Sequence, residues 1–132
     1  MGVVKGDEYP PIDVEHIGDW NDKHRFDAYA KSLESDDDYI ITPFFKVSPG
    51  NSITFWRGIG PGAGSGIAEM PETFTDQSQS VDYWSQTASA RTITLNSRTH
   101  YVAIAIYKPN IGNAYIKNNT TNKYIFKGNN VL

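Results

Sequence analysis

The sequence contains no cysteine, which excludes disulfides, thiolate metal sites and a cysteine nucleophile. It is also poor in positive charge, since 12 Lys and Arg stand against 15 Asp and Glu and give a formal net charge of −3. Proteins that bind a phosphate backbone usually carry an excess of basic residues. The composition therefore argues against nucleic acid as a partner.

Long apolar runs are missing as well. The best of them, Val102–Ile106, is far shorter than the roughly 20 residues that a membrane-spanning helix needs. The segment Met1–Glu8 lacks the apolar stretch of a secretory signal peptide. We therefore expect no membrane insertion, and any function outside a cell would require release by another route.

Patterns typical of catalysis or metal binding are absent. His16, His24 and His100 lie at no metal-ligand spacing, and there is no HExxH or GxSxG motif. The glycine-rich loop Gly58–Gly66 is not followed by the Lys-Ser or Lys-Thr of a phosphate-binding loop. We expect no enzyme activity, no cofactor and no metal, with calcium at Asp36–Asp38 left open.

The sequence is rich in aromatic residues and turn formers, with 8 Tyr, 6 Phe, 3 Trp, 11 Gly and 7 Pro. Polar and apolar residues alternate in Ser52–Arg57, Ala90–Asn96 and His100–Tyr107, and several short strands recur at intervals of roughly 8–12 residues. This pattern predicts an all-β sandwich or barrel. Its predicted core consists of Ile53, Phe55, Ile93, Leu95, Val102, Ile104 and Ile106.

The chain divides into an N-terminal arm, residues 1–18, and a single domain, residues 19–132. The arm lacks alternation and contains Pro10-Pro11, so we expect it to extend over another surface, outside the core. One helix is predicted over Trp20–Leu33, where Phe26, Tyr29, Ala30 and Leu33 have helical spacing. Asp36–Asp38 are expected in a solvated turn, and residues 113–117 and 123–127 in a hairpin.

The aromatic residues also predict a binding site. Trp56 falls on the strand face opposite Ile53 and Phe55, and one of the adjacent Tyr83 and Trp84 must point away from the core. An exposed ring can stack on the apolar face of a sugar while polar side chains bind its hydroxyl groups. The alternative is that these rings only cover the sheets. The predicted carbohydrate site has Trp56 or Trp84 as its platform and a rim of Arg57, Glu69, Asp82 and Tyr83, framed by the loops Gly58–Gly66 and Pro71–Ser80.

Three segments together resemble β-sandwich modules of phage tails, baseplates and other virion proteins. Tyr39–Ile53 resembles their entry strand, Pro-Gly turn and second strand, Asp82–Ile106 resembles a short alternating strand followed by a central one, and Asn113–Asn129 resembles their C-terminal hairpin. This resemblance implies a jelly-roll-like sandwich similar to galactose-binding domains and carbohydrate-binding modules. In the central strand Ala103 and Ala105 replace the bulkier outer-face residues of such modules, so we expect another element, such as residues 1–33, to pack over that sheet.

The resemblance also implies a function. A phage module of this kind would be a non-catalytic virion surface protein that binds host cell-surface polysaccharide, is released by lysis, and acts as a homo-oligomer or in many copies beside other virion proteins. The alternative is a purely structural virion component, such as a capsid decoration, head-fibre or baseplate assembly block, that binds no ligand.

Overall fold

The computed structural model describes residues 10, 12–58, 66–85 and 90–131, which form strands joined by turns and two short 3-10 helices. The 3-10 helices are Gln77–Gln79 and Lys108–Asn113. No helix of these described ranges is long and apolar enough to cross a membrane. The strands are β1 (His16–Ile17), β2 (Asn21–Asp27), β3 (Ser32–Ile41), β4 (Phe44–Lys46), β5 (Ser52–Trp56), β6 (Gly66–Met70), β7 (Asp82–Ser85), β8 (Arg91–Thr94), β9 (Tyr101–Tyr107), β10 (Tyr115–Asn118) and β11 (Lys123–Lys127).

These strands make two antiparallel sheets. The larger has the order β1-β4-β9-β3-β2, with β6 on the other edge of β9 and β7 beyond β6. The smaller has the order β11-β10-β5-β8. β3 and β4 follow each other along one edge of β9, and their pairing with it is interrupted at Pro43. Beside this interruption the Thr42 hydroxyl accepts a hydrogen bond from the Ile104 amide at 3.0 Å. The all-β prediction is confirmed.

One apolar cluster lies between the two sheets and makes the molecule sandwich-like. All of the predicted core residues belong to it and are buried, from Ile53 and Phe55 of β5 to Val102, Ile104 and Ile106 of β9. Alternation predicts them correctly because each strand of the sandwich turns every second side chain toward the opposing sheet.

A second cluster covers the other face of the seven-stranded sheet. Ala103 and Ala105 of β9 are fully buried there beneath Phe26 of β2, with Leu33 of β3 packed against the same group. A bulky side chain on this face of β9 would displace the hairpin that crosses it. The β2–β3 hairpin therefore covers the central strand with Phe26 and Leu33, as the small side chains of β9 lead one to expect.

The predicted helix over Trp20–Leu33 is wrong, because this segment is the β2–β3 hairpin. Phe26 and Leu33 are cross-strand partners, so their seven-residue spacing arises from a turn that brings them side by side. The Asp27 carboxylate stabilises that turn by accepting hydrogen bonds from the Tyr29 and Ala30 amides at 2.9 and 3.0 Å.

The predicted turn at Asp36–Asp38 is also wrong, since all three residues lie in β3. Asp36 forms an ion pair with Arg25 of β2 at 3.3 Å, and its carboxylate accepts a hydrogen bond from the Asp38 amide at 3.0 Å. The neighbouring strand β2 thus supplies a cation, Arg25, and its ion pair with Asp36 allows three consecutive Asp residues to lie within a β-strand. Within the part of the chain that the structure describes, no group of three His, Asp or Glu side chains could hold a metal ion.

The described part of the N-terminal arm packs against the sandwich. β1 pairs with β4, the carbonyl of Glu15 accepts a hydrogen bond from the Lys46 amide at 2.9 Å, and Ile12 and Val14 contact the main cluster. β1 thus extends the edge of the larger sheet, and the apolar side chains before it pack against the core. The domain boundary after residue 18 stays a prediction.

Candidate functional site

Glu69, predicted as a rim residue, is fully buried in β6. Its carboxylate accepts hydrogen bonds from the Asn96 amide at 2.8 Å, the Thr99 hydroxyl at 2.6 Å and the Trp84 indole N–H. These bonds tie β6 and β7 to the turn before β9. Because its oxygens serve internal donors and no part of it reaches solvent, Glu69 supports the fold, contrary to a sugar-binding rim.

Arg57, the one cation of the predicted rim, is also buried, with 1% of its surface exposed. Its guanidinium donates to the Tyr39 hydroxyl at 2.9 Å and lies 5.9 Å from the centroid of the Tyr39 ring. Burial raises the pKa of Tyr39 above its ordinary value of 10.0, so this phenol is neutral at pH 7 and accepts the bond. The structure thus places Arg57 beneath the surface as an internal donor.

The remaining rim residues lie on β7. Tyr83 is buried in the second cluster, which covers the outer face of the larger sheet, and its hydroxyl donates to the Gln77 carbonyl at 3.0 Å. Asp82 is half-buried, with the Lys31 ammonium 3.9 Å away. The structure brings Glu69, Asp82 and Tyr83 together across the β6–β7 pair, but their polar groups contact other residues of the protein.

Trp84, one of the two predicted platforms, is packed from both directions. The ring contacts the main cluster, and the Arg91 guanidinium lies over it at 5.0 Å from the centroid. Arg91 is held there by a 2.7 Å hydrogen bond to the Ser85 carbonyl. Trp84 thus lies between the core and a guanidinium that is itself fixed by a hydrogen bond, so the geometry disfavours Trp84 as a platform.

Trp56, the other predicted platform, lies on the outer face of the smaller sheet. β5 buries Ile53 and Phe55 and leaves Thr54 and Trp56 on the opposite side, half-buried. Tyr115 of β10 is directly opposite Trp56 across the strands. Two large aromatic side chains therefore sit side by side on one sheet face.

A third ring joins them because of a β-bulge. Regular alternation from the buried Phe126 would turn Tyr124 toward the core, but the register between β10 and β11 shifts at Ile125 and sets Tyr124 opposite Lys117. Tyr124 is 37% exposed, and its ring centroid is 6.0 Å from that of Tyr115 in an edge-on arrangement. We call the surface formed by these three rings with Thr54, Lys117 and Lys127 the aromatic face.

Polar groups surround the rings of this face. The ammonium groups of Lys117 and Lys127 lie 5.6 and 5.2 Å from the centroid of the Tyr124 ring. Beyond them the Thr54 hydroxyl is 2.7 Å from that of Thr92 and accepts a hydrogen bond from the Asn119 amide group at 2.9 Å. Ammonium, hydroxyl and amide groups beside flat rings are the chemistry that sugar hydroxyls require.

Tyr124 borders two grooves on the protein surface. One groove of about 400 Å³ is lined by Asp13, Phe126, Lys127 and Asn129 among others, and a second of about 370 Å³ by Lys46, Asn51, Asn118 and Lys123 among others. Asn118 fixes the β10–β11 turn, because its side chain accepts hydrogen bonds from the amides of the two residues that follow Asn119 at 2.9 and 3.1 Å. Tyr115 and Tyr124 therefore project from a hairpin whose turn is held by Asn118 and which borders two grooves.

Of the predicted site residues, only Trp56 lies on this face, and Tyr115, Lys117, Tyr124 and Lys127 were not among them. Alternation around Ile116 could have placed Tyr115 and Lys117 on the outer side of the predicted hairpin. Tyr124 gives no such signal, because its orientation depends on the bulge. Most of the predicted loop Gly58–Gly66, residues 59–65, lies outside the described residues.

Comparison of the chain with protein-family models, with curated proteins and with solved structures finds no match. Function must therefore be inferred from the geometry of the site itself.

Proposed function

We propose that this protein is a non-catalytic glycan-binding module, and that the aromatic face is its binding site. The observation that carries this proposal is the alignment of Trp56, Tyr115 and Tyr124 on one outer sheet face, with hydroxyl and ammonium groups between them. Rings held on adjacent strands can stack on successive units of an extended sugar chain.

We further propose a jelly-roll-like arrangement and a virion surface location, with many copies presenting the face to host polysaccharide. The jelly-roll proposal is supported by the path of the chain, which passes back and forth between sheets: β4 and β6 belong to the larger sheet and the intervening β5 to the smaller one, as β8 lies between β7 and β9. The virion location is supported by the sequence resemblance.

A single site of this shape should bind weakly. One or two stacked rings and solvent-exposed hydrogen bonds give only about 4–5 kcal/mol net, which corresponds to dissociation constants of roughly 0.1–1 mM. Firm adhesion would then come from many sites acting together. Isothermal titration of the isolated chain should show weak binding to host polysaccharide fragments, and a nanomolar complex would contradict a shallow face.

The test is a matched set of aromatic substitutions. When many copies of the chain are presented together to a glycan array, Trp56→Ala and Tyr115→Ala should each abolish binding. Circular dichroism should show that the fold of both variants is intact. Tyr29→Ala is the control, because Tyr29 is 74% exposed on the β2–β3 turn, away from the aromatic face. Unchanged attachment to host cells in both face variants would reject the proposal in favour of a structural virion component.

A further inference from the structure

We propose that the saccharide recognised by the aromatic face is anionic, a sugar chain that bears carboxylate or phosphate groups. This inference rests on the proposed function, since it specifies the ligand class of the same face. It comes from the distribution of charge in the folded molecule, which the net charge of −3 conceals.

Charge in this chain is strongly segregated. All 15 acidic residues lie at or before Asp82, while residues 83–132 contain 6 Lys and Arg and no Asp or Glu. The fold then concentrates this basic half in the smaller sheet, whose strands carry Arg91, Lys117, Lys123 and Lys127 and no carboxylate. The acidic run Asp36–Asp38 lies in β3, a strand of the larger sheet.

The lysines of the face are available to a ligand. Among the described residues, Lys117 and Lys127 form no ion pair, whereas Lys31, Lys46 and Lys108 each have a carboxylate partner. Lys117 and Lys127 instead approach the Tyr124 ring from two sides. Each ammonium keeps donors free for an acceptor beside that ring.

The nearest carboxylates belong to the arm. Asp13 shares a groove with Lys127, and Glu15 pairs with Lys46 at 3.7 Å. Both lie at the β11 edge, while Lys117 is one strand further in, on β10. A pyranose stacked on Tyr115 would therefore place an acidic substituent within reach of Lys117, where no protein carboxylate of the described residues pairs with it.

The experiment compares one sugar backbone with and without charge. Oligogalacturonate and its full methyl ester are titrated against the whole chain, together with phosphorylated dextran as the phosphate source and a single-stranded oligothymidylate. The variant is the double substitution Lys117→Gln, Lys127→Gln. The control is Lys23→Gln, Arg98→Gln, which removes the same charge from exposed positions away from the face.

We expect the acid form, the phosphate polymer or both to bind more tightly than the methyl ester, and the stronger of the two names the source of the charge. The face variant should weaken this binding about two- to five-fold for each lysine, and the control should not. Raising the salt from 50 to 500 mM should reduce the preference, because exposed charges are screened.

Three results would overturn the inference, and they are distinguishable. Equal affinity for acid and ester, with binding still lost in Tyr115→Ala, rejects the anionic ligand but keeps the glycan site. No saccharide binding, with host attachment unchanged in Trp56→Ala, rejects the proposed function as well. Tighter, lysine-dependent binding of the oligothymidylate would identify the face as a single-strand nucleic-acid surface.

Discussion

At the scale of single residues, the molecule separates polar groups that hold the fold from polar groups that are free to bind. Glu69 and Arg57 have the chemistry of binding residues but are buried against internal partners. Those partners lie 15 to 30 positions away in the sequence, so local pattern could not reveal them. Burial of these charged groups is what identifies their structural role in this chain.

Glu69→Gln should lower the free energy of unfolding by about 1–3 kcal/mol, because an amide cannot accept all the bonds that the buried carboxylate accepts. Chemical denaturation measures this loss. Glu72→Gln is the control, since Glu72 is exposed two residues beyond the end of β6. Glycan binding by the folded fraction should stay unchanged in both variants, and a loss of binding in Glu69→Gln alone would return this residue to the site.

At the scale of elements, the alternation of polar and apolar residues predicted strands correctly, whereas the helical spacing of apolar residues predicted a helix that does not form. β5 and β9 were predictable, since each has one continuous apolar face that meets the opposite sheet. The helix over Trp20–Leu33 was wrong because a hairpin can set residues seven positions apart side by side, as with Phe26 and Leu33. Trp56 followed from alternation, whereas Tyr124 depends on a bulge at Ile125 that no local sequence signal marks.

The β2–β3 hairpin should stabilise the sandwich mainly through Phe26, which is 1% exposed over Ala103 and Ala105. Phe26→Ala should reduce the free energy of unfolding by about 3–5 kcal/mol, because it leaves a cavity above two small side chains that cannot fill it. Thermal or chemical unfolding tests this, with Tyr29→Ala in the same hairpin as the control. A Phe26→Ala protein as stable as that control would show that the hairpin contributes little to the core.

At the scale of the whole molecule, the larger sheet is buried on both faces around its central strand. Residues 102–106 of β9 are all buried, between the main cluster on one side and the β2–β3 hairpin on the other. The smaller sheet has apolar packing on one face only and presents the aromatic face on the other. If the aromatic face binds glycans as proposed, stability and recognition are assigned to different sheets.

Hydrogen exchange should reflect this division. The amides of β9 should exchange only through global unfolding, because strands hydrogen-bonded to both of its edges open together with it. The turn Asn119–Asn122 should exchange much faster. Exchange measured by mass spectrometry at several denaturant concentrations tests the order, and β9 amides that open well below the global unfolding free energy would contradict it.

The separation of charge also has a kinetic consequence. A molecule whose smaller sheet carries lysines and no carboxylate, and whose acidic residues all lie at or before Asp82, would rotate in the field of a charged surface while it is still diffusing. Near an anionic cell wall, the molecule would collide with its smaller sheet facing the wall more often than random orientation predicts. Productive encounters would therefore be more frequent than the small area of the aromatic face alone allows, and the capture rate would fall with ionic strength faster than the lifetime of the complex.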